Sequence, residues 1–132
     1  MEAVLIDTSV WINIFKGVET KASVFLRDNA KISAVTCPVI VQEVLQGIVS
    51  DKDFNSISSH FSNLMRIPAN GYQYAREAAM LYRTLRKKGI TIRSPNDCLI
   101  AIYAIKHDIE LLHDDKDFDH IAAFSSLKTV QF

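Results

Sequence analysis

The segment A-V-L-I-D-T-S, residues 3–9, decides the fold because it joins a short apolar run to residues that begin helices. Residues 3–6 predict a buried strand, and the three polar residues that follow are typical of a helix N-terminus. The residues 10–15 then predict a helix that ends near Gly17. The same order recurs with a strand over 31–35, a helix opening at Thr36-Cys37-Pro38 and an apolar strand over 109–112. This alternation predicts an α/β fold with a mainly parallel central sheet, flanked by helices on both faces.

The other segments extend this pattern. The helix that opens at Thr36-Cys37-Pro38 is predicted to cover 39–48, and further helices are predicted over 20–29, 72–88 and 98–107. Residues 51–63 are amphipathic, and further strands are predicted over 64–67 and 127–130. Gly89 is a natural end for the longest helix. The segment Ser94-Pro95-Asn96-Asp97 predicts the start of the next helix, with an acid where a capping box would have one. Phe118, Ile121 and Ala122 predict a short helix that packs on the core.

The composition fits one domain over residues 1–132, with 48% hydrophobic residues to form a core. Lys and Arg together number 15, as do Asp and Glu, so the net charge predicts no general attraction to nucleic acid or membranes. Cys37 and Cys98 are too few for a disulfide framework, and we expect both to be buried and reduced. No segment approaches the roughly 20 apolar residues of a membrane helix, so we expect a cytoplasmic protein.

Acidic residues follow two of the predicted strands. Asp7 comes directly after the first strand, and Asp114-Asp115 comes shortly after the apolar strand near the end of the chain. Ligands of parallel sheets bind outside the carboxyl ends of the strands, so these positions predict a shared site. Each acid also has a structural interpretation. Asp7 could cap a helix, Asp97 could face a helix dipole, and Glu43 could extend to water from the edge of an apolar helix face.

The segment H-D-D-K-D-F-D-H, residues 113–120, gathers four aspartates. Two carboxylates about 4 Å apart repel by roughly 4 kcal/mol near a protein surface, so solvation or a bound cation must offset the repulsion. A calcium EF-hand is excluded, because His120 and Ser126 occupy the positions of its glycine and glutamate. The histidines lack the paired spacing of zinc sites. A cluster of oxygen ligands favours Mg²⁺ or Mn²⁺ instead.

Four segments at separate points of the chain form a set: V-L-I-D-T-S-V-W-I at 4–12, V-Q-E-V-L-Q-G at 41–47, S-P-N-D-C-L-I-A at 94–101 and L-L-H-D-D-K-D-F at 111–118. In this order they resemble the PIN-domain ribonucleases that act as VapC toxins in bacterial toxin–antitoxin pairs. The second segment matches the E-x-x-x-G helix of that family. The resemblance implies a PIN-like fold and hydrolysis of RNA to a 5′-phosphate and a 3′-hydroxyl.

The resemblance also implies roles for individual residues. The implied catalytic acids are Asp7, Glu43, Asp97 and Asp115, the implied metal ligands are Asp7, Asp97, Asp115 and Asp117, and the supporting residues are Thr8, Asn96 and His113. Glu43 would either bind the metal or orient the attacking water as a base. His113 stands where the family usually has threonine or serine, so it is a candidate substrate or water contact. We expect the additional Asp114 to be solvated.

The function implied by the resemblance is a Mg²⁺-dependent endoribonuclease toxin, with Mn²⁺ as the second candidate ion. The expected substrate is structured RNA, with tRNA as the first candidate. A VapB-type antitoxin and a second copy of the chain in a homodimer are the expected partners. Two alternatives stay open: a PIN nuclease that processes RNA without an antitoxin, and a catalytically silent module that binds metal or RNA.

Two surface features have competing interpretations. The basic residues Arg86, Lys87, Lys88 and Arg93 are predicted to bind substrate, although the first three would also complement the C-terminal dipole of a helix. Trp11, Ile14 and Phe15 are predicted to be core residues. The resemblance offers the alternative that an antitoxin segment covers this region and reaches toward the acids.

Overall fold

The central sheet has four parallel strands, as a computed structural model that describes residues 2–132 shows. The strands are β1 (Ala3–Ile6), β2 (Ser33–Thr36), β3 (Met65–Arg66) and β4 (Glu110–Leu112). Their order across the sheet is β3-β2-β1-β4. In the register, Leu5 lies opposite Val35 on one side and Leu111 on the other. The predicted α/β class with a mainly parallel sheet is therefore confirmed.

Seven helices within residues 2–132 surround the sheet. They are α1 (Thr8–Phe15), α2 (Lys21–Asp28), α3 (Pro38–Gln46), α4 (Asp51–Ser62), α5 (Gly71–Lys87), α6 (Asn96–Lys106) and α7 (Asp117–Ala123). Each predicted helix is present, including α7, whose Phe118 and Ile121 are fully buried. Gly89 lies just past α5 with a φ of +83°, a conformation that glycine adopts without the steric cost of a side chain. No helix among the described residues is both long and apolar enough to span a membrane.

The strand order explains why the carboxyl ends of β1 and β4 form a site. The chain moves outward from β1 to β2 and β3 and then returns past β1 to form β4. Because crossovers between parallel strands are right-handed, the outward connections and the return connection lie on opposite faces of the sheet. In the helix contacts, α1 packs on α2 and α3, α5 packs on α6, and α3 and α6 also contact each other. The switch between the two directions falls between β1 and β4, where α/β sheets bind ligands.

The core explains why β1 and β4 are mostly apolar. Leu5, Ile6, Leu111 and Leu112 are at most 1% exposed because helices cover both faces of the sheet. The helix α6 is almost entirely buried, with seven of its residues in the interior. Cys37 and Cys98 are free and buried, as predicted.

Three local predictions were wrong. The strand predicted over 31–35 begins at Ser33, because Lys31 belongs to an exposed turn, and it extends to Thr36, which was predicted to open α3. The segment 127–130 forms only an isolated parallel bridge, between Leu111 and Thr129, rather than a strand. The predicted capping box is also absent: Pro95 occupies the N-cap position of α6 without a side-chain hydrogen bond.

The core prediction for α1 was correct only for its first half. Trp11 is buried and its ring packs edge-on against Phe61 at 5.1 Å between centroids. Ile14 and Phe15, by contrast, are 38% and 45% exposed. Both lie in the last turn of α1, just before the chain turns away at Gly17. The helical spacing places Ile14 and Phe15 on the same face of α1 as its buried residues, but the last turn of α1 extends past the edge of the core.

Candidate active site

Asp7 is both a helix cap and a buried acid at the carboxyl end of β1. Its backbone N–H donates to the carbonyl of Leu112, which fixes it beside the end of β4. One carboxylate oxygen accepts hydrogen bonds from the backbone N–H and the hydroxyl of Ser9, at 3.0 and 2.6 Å, so the predicted N-cap is formed. The other oxygen, Oδ1, is buried and has no hydrogen-bond partner within residues 2–132. Burial raises the pKa of Asp7, although the bonds from Ser9 act in the opposite direction.

Glu43 lies on α3 and is held by two of the three polar residues predicted to support the site. The hydroxyl of Thr8 donates to Oε1 at 2.7 Å, and the amide of Asn96 donates to Oε2 at 3.4 Å. Glu43 is half-buried, whereas Gln42 and Gln46 on the same helix are exposed. Its carboxylate is therefore oriented toward α1 and α6 rather than extending freely into water.

Asp97 lies in the first turn of α6 and is the most perturbed acid of the site. Only 7% of it is exposed, and its Oδ2 has no hydrogen-bond partner in the part of the chain that the structure describes. Burial, followed by the charges of Asp7, Asp115, Glu43 and Asp117, raises its pKa to about 7. The four other acids are therefore close enough to act on Asp97 electrostatically. Acids from both ends of the chain meet at one edge of the sheet.

Asp115 and Asp117 complete this group. Carboxylate oxygens of Asp97, Asp115 and Asp117 lie within 4.8 Å of one another. Asp115 Oδ1 also accepts a hydrogen bond from the backbone N–H of Asp117 at 3.0 Å, which fixes the start of α7. Asp7 is outside this 4.8 Å group but acts on Asp97 through its charge. These five acids, Asp7, Glu43, Asp97, Asp115 and Asp117, are called the acid cluster below.

Arg93 contacts the acid cluster directly. Its Nη2 lies 3.0 Å from Asp115 Oδ1, and its Nε lies 3.2 Å from Asp117 Oδ2. The backbone N–H of Arg93 donates to the same oxygen of Asp117. The sequence grouped Arg93 with the basic end of α5, but its guanidinium offsets the charge of two acids. Its predicted role in binding substrate remains a prediction.

The other predicted substrate-binding residues lie at the C-terminal end of α5. Arg86, Lys87 and Lys88 are exposed and, within residues 2–132, form no ion pair. Arg86 lies over the ring of Tyr82 and Lys88 over that of Phe124, at 5.7 and 5.5 Å. Their position fits both interpretations, because cations at a helix C-terminus are favourable with or without a ligand.

The loop after β4 is fixed by polar contacts that the sequence did not reveal. Asp114, expected to be solvated, is half-buried and accepts hydrogen bonds from Asn13 and Thr20, at 3.1 and 2.9 Å. Its backbone N–H donates to the hydroxyl of Ser9, which also binds Asp7. Asp114 therefore ties this loop to α1 and to the start of α2. Because the partners are 94 and 101 residues away in sequence, no local signal could have identified them.

His113 occupies an internal position in the same loop. Its Nδ1 accepts the backbone N–H of Asp115 at 3.2 Å, and its Nε2 lies 3.4 Å from Asp119. The ring also packs against Phe118 at 5.2 Å, and only 12% of the side chain is exposed. His113 thus orients the backbone that presents Asp115. Its predicted role as a substrate or water contact remains a prediction.

The donor set of the acid cluster fits a divalent cation. All its side-chain donors are carboxylate oxygens, the ligands that Mg²⁺ and Mn²⁺ prefer. Two of these oxygens, Asp7 Oδ1 and Asp97 Oδ2, are buried with no partner among the described residues. Buried polar atoms without partners are rare, and a missing ion is one of the recognised reasons for them. Burial is the main cause of the raised pKa of Asp97, and a cation would offset the repulsion from neighbouring carboxylates that adds to it.

Comparisons with known proteins agree with this arrangement. A profile of the PIN domain family matches residues 4–123. The VapC ribonuclease Mb1587 of Mycobacterium bovis is 35% identical to this chain over 134 aligned positions, which cover 98% of each protein. Among solved structures, VapBC-1 from nontypeable Haemophilus influenzae matches with a TM-score of 0.75 at 18% identity, covering 98% of this chain and 97% of that one.

VapBC2 from Rickettsia felis, solved bound to a DNA fragment from its promoter, matches with a TM-score of 0.73 at 18% identity and covers 98% of both chains. At such low identity these structural matches support the fold alone. The family profile and the Mycobacterium bovis relative extend over almost the whole chain, and the acid cluster lies within the matched range. The chain therefore belongs to the PIN domain family and, within it, to the VapC ribonucleases.

Proposed function

We propose that this protein is the Mg²⁺-dependent endoribonuclease toxin of a toxin–antitoxin pair, a single-domain enzyme of the cytoplasm. Membership of the VapC family makes it a ribonuclease. The identity of the metal ion, the RNA substrate and the protein partner are what we propose beyond that. One observation supports it above all: five acids from distant parts of the chain meet at the switch point of the sheet, where two of their buried oxygens have no partner.

In this proposal Asp97, Asp115, Asp117 and Asp7 hold the ion, and Mn²⁺ is the second candidate. When bound, the ion polarises the phosphodiester and makes a water molecule easier to deprotonate. Glu43 is the candidate base, because Thr8 and Asn96 hold its carboxylate in one orientation. A water oxygen would bond to phosphorus as the bond from phosphorus to O3′ breaks, which leaves a 5′-phosphate and a 3′-hydroxyl. Arg93 is positioned to contact the phosphate, since it already lies against Asp115 and Asp117.

The partners are proposed from the relatives. The relative from Mycobacterium bovis is named a ribonuclease, which favours catalysis over a silent binding module. The structures from Haemophilus influenzae and Rickettsia felis are VapBC proteins, which supports a VapB-type antitoxin for this chain. We propose structured RNA as the substrate, with tRNA first, the residues Arg86, Lys87 and Lys88 as contacts for its backbone, and a homodimer as the assembly.

The test is cleavage of purified tRNA and of other structured RNA by the wild-type protein and by a double variant, Asp7→Asn/Asp97→Asn. We expect cleavage with Mg²⁺ or Mn²⁺, loss of cleavage in EDTA, and a loss of at least about a hundredfold in the double variant, since ligand and electrostatic groups commonly contribute that much. Asp51→Asn is the matched control, because Asp51 is an exposed acid on α4. Wild-type cleavage by the double variant would refute the proposed roles of these acids.

A further inference from the structure

A second cavity at the same edge of the sheet has a different chemical character from the acid cluster. It has a volume of about 500 Å³ and lies between the start of α3, the second half of α4 and the carboxyl ends of β2 and β3. Val41, Phe61 and Ile67 give it apolar walls, and Gln42 and Ser58 add polar groups. Such a volume is within the range of small-molecule sites.

The cavity is suited to an anion. Arg66 is its only charged lining residue, and it forms no ion pair within residues 2–132. The helix α3 begins here with Pro38 in its first turn and with no side-chain cap on its N-terminus, where the helix dipole favours negative charge.

An independent observation comes from Thr36, the last residue of β2. Thr36 lines the cavity and is only 2% exposed, yet its hydroxyl has no hydrogen-bond partner among the described residues. Leaving a buried hydroxyl unpaired is costly, so such groups usually have a partner or a ligand. A ligand that accepts hydrogen bonds would satisfy it at the point where Arg66 and α3 supply positive charge.

The position of the cavity relates it to the acid cluster. In the order β3-β2-β1-β4, the cavity belongs to the ends of β2 and β3, and the acid cluster belongs to the ends of β1 and β4. Neighbouring strands are about 5 Å apart, so the two sites are separated by one or two strand spacings. Adjacent nucleotides of a single strand can span that distance. The helix α3 also joins the two sites, because Gln42 lines the cavity and Glu43 belongs to the acid cluster.

We propose that this cavity binds one nucleotide of the RNA strand next to the cleaved bond, with its phosphate at Arg66, Thr36 and the N-terminus of α3. The apolar walls take the base or the ribose, and Gln42 and Ser58 offer hydrogen bonds to its edge, as in proteins that bind unpaired bases. That the nucleotide belongs to an RNA substrate rests on the ribonuclease function proposed above, whereas the binding of a nucleotide by the cavity does not.

The first experiment measures nucleotide binding in EDTA, where cleavage does not interfere. Backbone amide shifts of Val39 and Ile40, in the first turn of α3, are followed by NMR during titration with 5′-AMP, 5′-CMP and inorganic phosphate. The variants are Arg66→Gln and Thr36→Val, and the control is Arg76→Gln, an exposed arginine on α5. Thr36→Val keeps the shape of a strand residue and removes an unpaired hydroxyl, so it should fold at least as well as the wild type.

We expect the nucleotides to shift these amides in the wild type and in the control, and to bind about tenfold more weakly to each of the two cavity variants, the loss typical of one hydrogen bond to a charged group. Absence of shifts at α3 would overturn the inference. Equal affinities for inorganic phosphate and the nucleotides would also overturn it, because the cavity would then bind only the phosphate.

The second experiment measures kcat/KM for RNA cleavage in Mg²⁺. We expect a loss of about tenfold in Arg66→Gln and in Thr36→Val and no change in the control. Unchanged kcat/KM in both cavity variants of an active enzyme would overturn the inference. If the wild type cleaves no RNA but its α3 amides still respond to nucleotides, the proposed ribonuclease function fails while the nucleotide site stands.

Discussion

Replacing Asp97 with asparagine should stabilise the metal-free protein at neutral and alkaline pH. The pKa of Asp97 is raised from 3.8 to about 7 by burial and by the charges of the acid cluster. In the unfolded chain the carboxyl group loses its proton near pH 4, whereas in the folded protein it keeps the proton until about pH 7. Between these values the folded state binds more protons, so the free energy of unfolding falls as the pH rises through this window.

A pKa difference of about three units corresponds to about 4 kcal/mol. Solvent at the sheet edge and adjustment of neighbouring side chains reduce this value, so we expect a gain of roughly 2–4 kcal/mol for Asp97→Asn above pH 7. Asparagine is neutral at every pH and can donate hydrogen bonds to neighbouring carboxylates. The gain should disappear below about pH 4, where the wild-type residue becomes protonated in both states.

The assay is urea unfolding in EDTA, followed by circular dichroism at about pH 8, where the full gain is expected, and at about pH 5, where most of it should be lost. The control Asp51→Asn removes an exposed acid at the start of α4 and should lose about 0.3–1 kcal/mol, because that acid favours the helix dipole. At about pH 8, Mg²⁺ at a hundred times its Kd should raise the free energy of unfolding of the wild type by about 2.7 kcal/mol. The same Mg²⁺ concentration should raise the free energy of unfolding of Asp97→Asn by less. If Asp97→Asn destabilises the metal-free protein at about pH 8, the strain assigned to the acid cluster is wrong.

Three further substitutions test separate contacts. Arg93→Gln removes the cation that pairs with Asp115 and Asp117, and we expect about 1.5- to 5-fold tighter Mn²⁺ binding by calorimetry, because an exposed ion pair no longer competes. Thr8→Val removes the hydrogen bond to one oxygen of Glu43, so kcat should fall about tenfold while the free energy of unfolding changes little. If kcat and the free energy of unfolding both fell, the contact would be structural only. Asp114→Ala leaves two donors of α1 and α2 without their acceptor, and urea unfolding should show a loss of about 1–3 kcal/mol; an unchanged midpoint would contradict the proposed tie.

The sequence predicted the fold well because the strands are short, apolar and separated by amphipathic or buried helices. Val4–Ile6 and Leu111-Leu112 are continuous apolar runs too short for a helix, and the residues at their ends favour turns and caps. Predictions were less accurate at boundaries. Thr36 suits a strand or a helix N-terminus equally, and its place in β2 depends on pairing with β3, a contact that the local sequence does not encode.

The acids of the site were identifiable, but their partners were not. Asp7, Glu43 and Asp97 each follow a recognisable local pattern, and the resemblance to a family gave their order. The pairing of Arg93 with Asp115 joins residues 22 positions apart, on either side of α6 and β4. Since it depends on how those elements pack, a basic residue near the end of a helix was more naturally grouped with its neighbours in sequence.

The location of the acid cluster explains how the protein keeps five acids close together despite their mutual repulsion. Asp7 follows β1, in which residues 4–6 are buried, and the loop that holds Asp115 follows β4, in which Leu111 and Leu112 are buried. Asp97 lies in the first turn of a helix with seven interior residues, so the acids cannot separate without disrupting the core. The apolar interior therefore supplies the free energy that offsets their repulsion. A cation relieves this repulsion only when the sheet and α6 are both formed. We therefore expect ion binding and folding to be coupled, so that amides of α6 should gain hydrogen-exchange protection in Mg²⁺, while those of α4, away from the cluster, should gain protection only through global stabilisation.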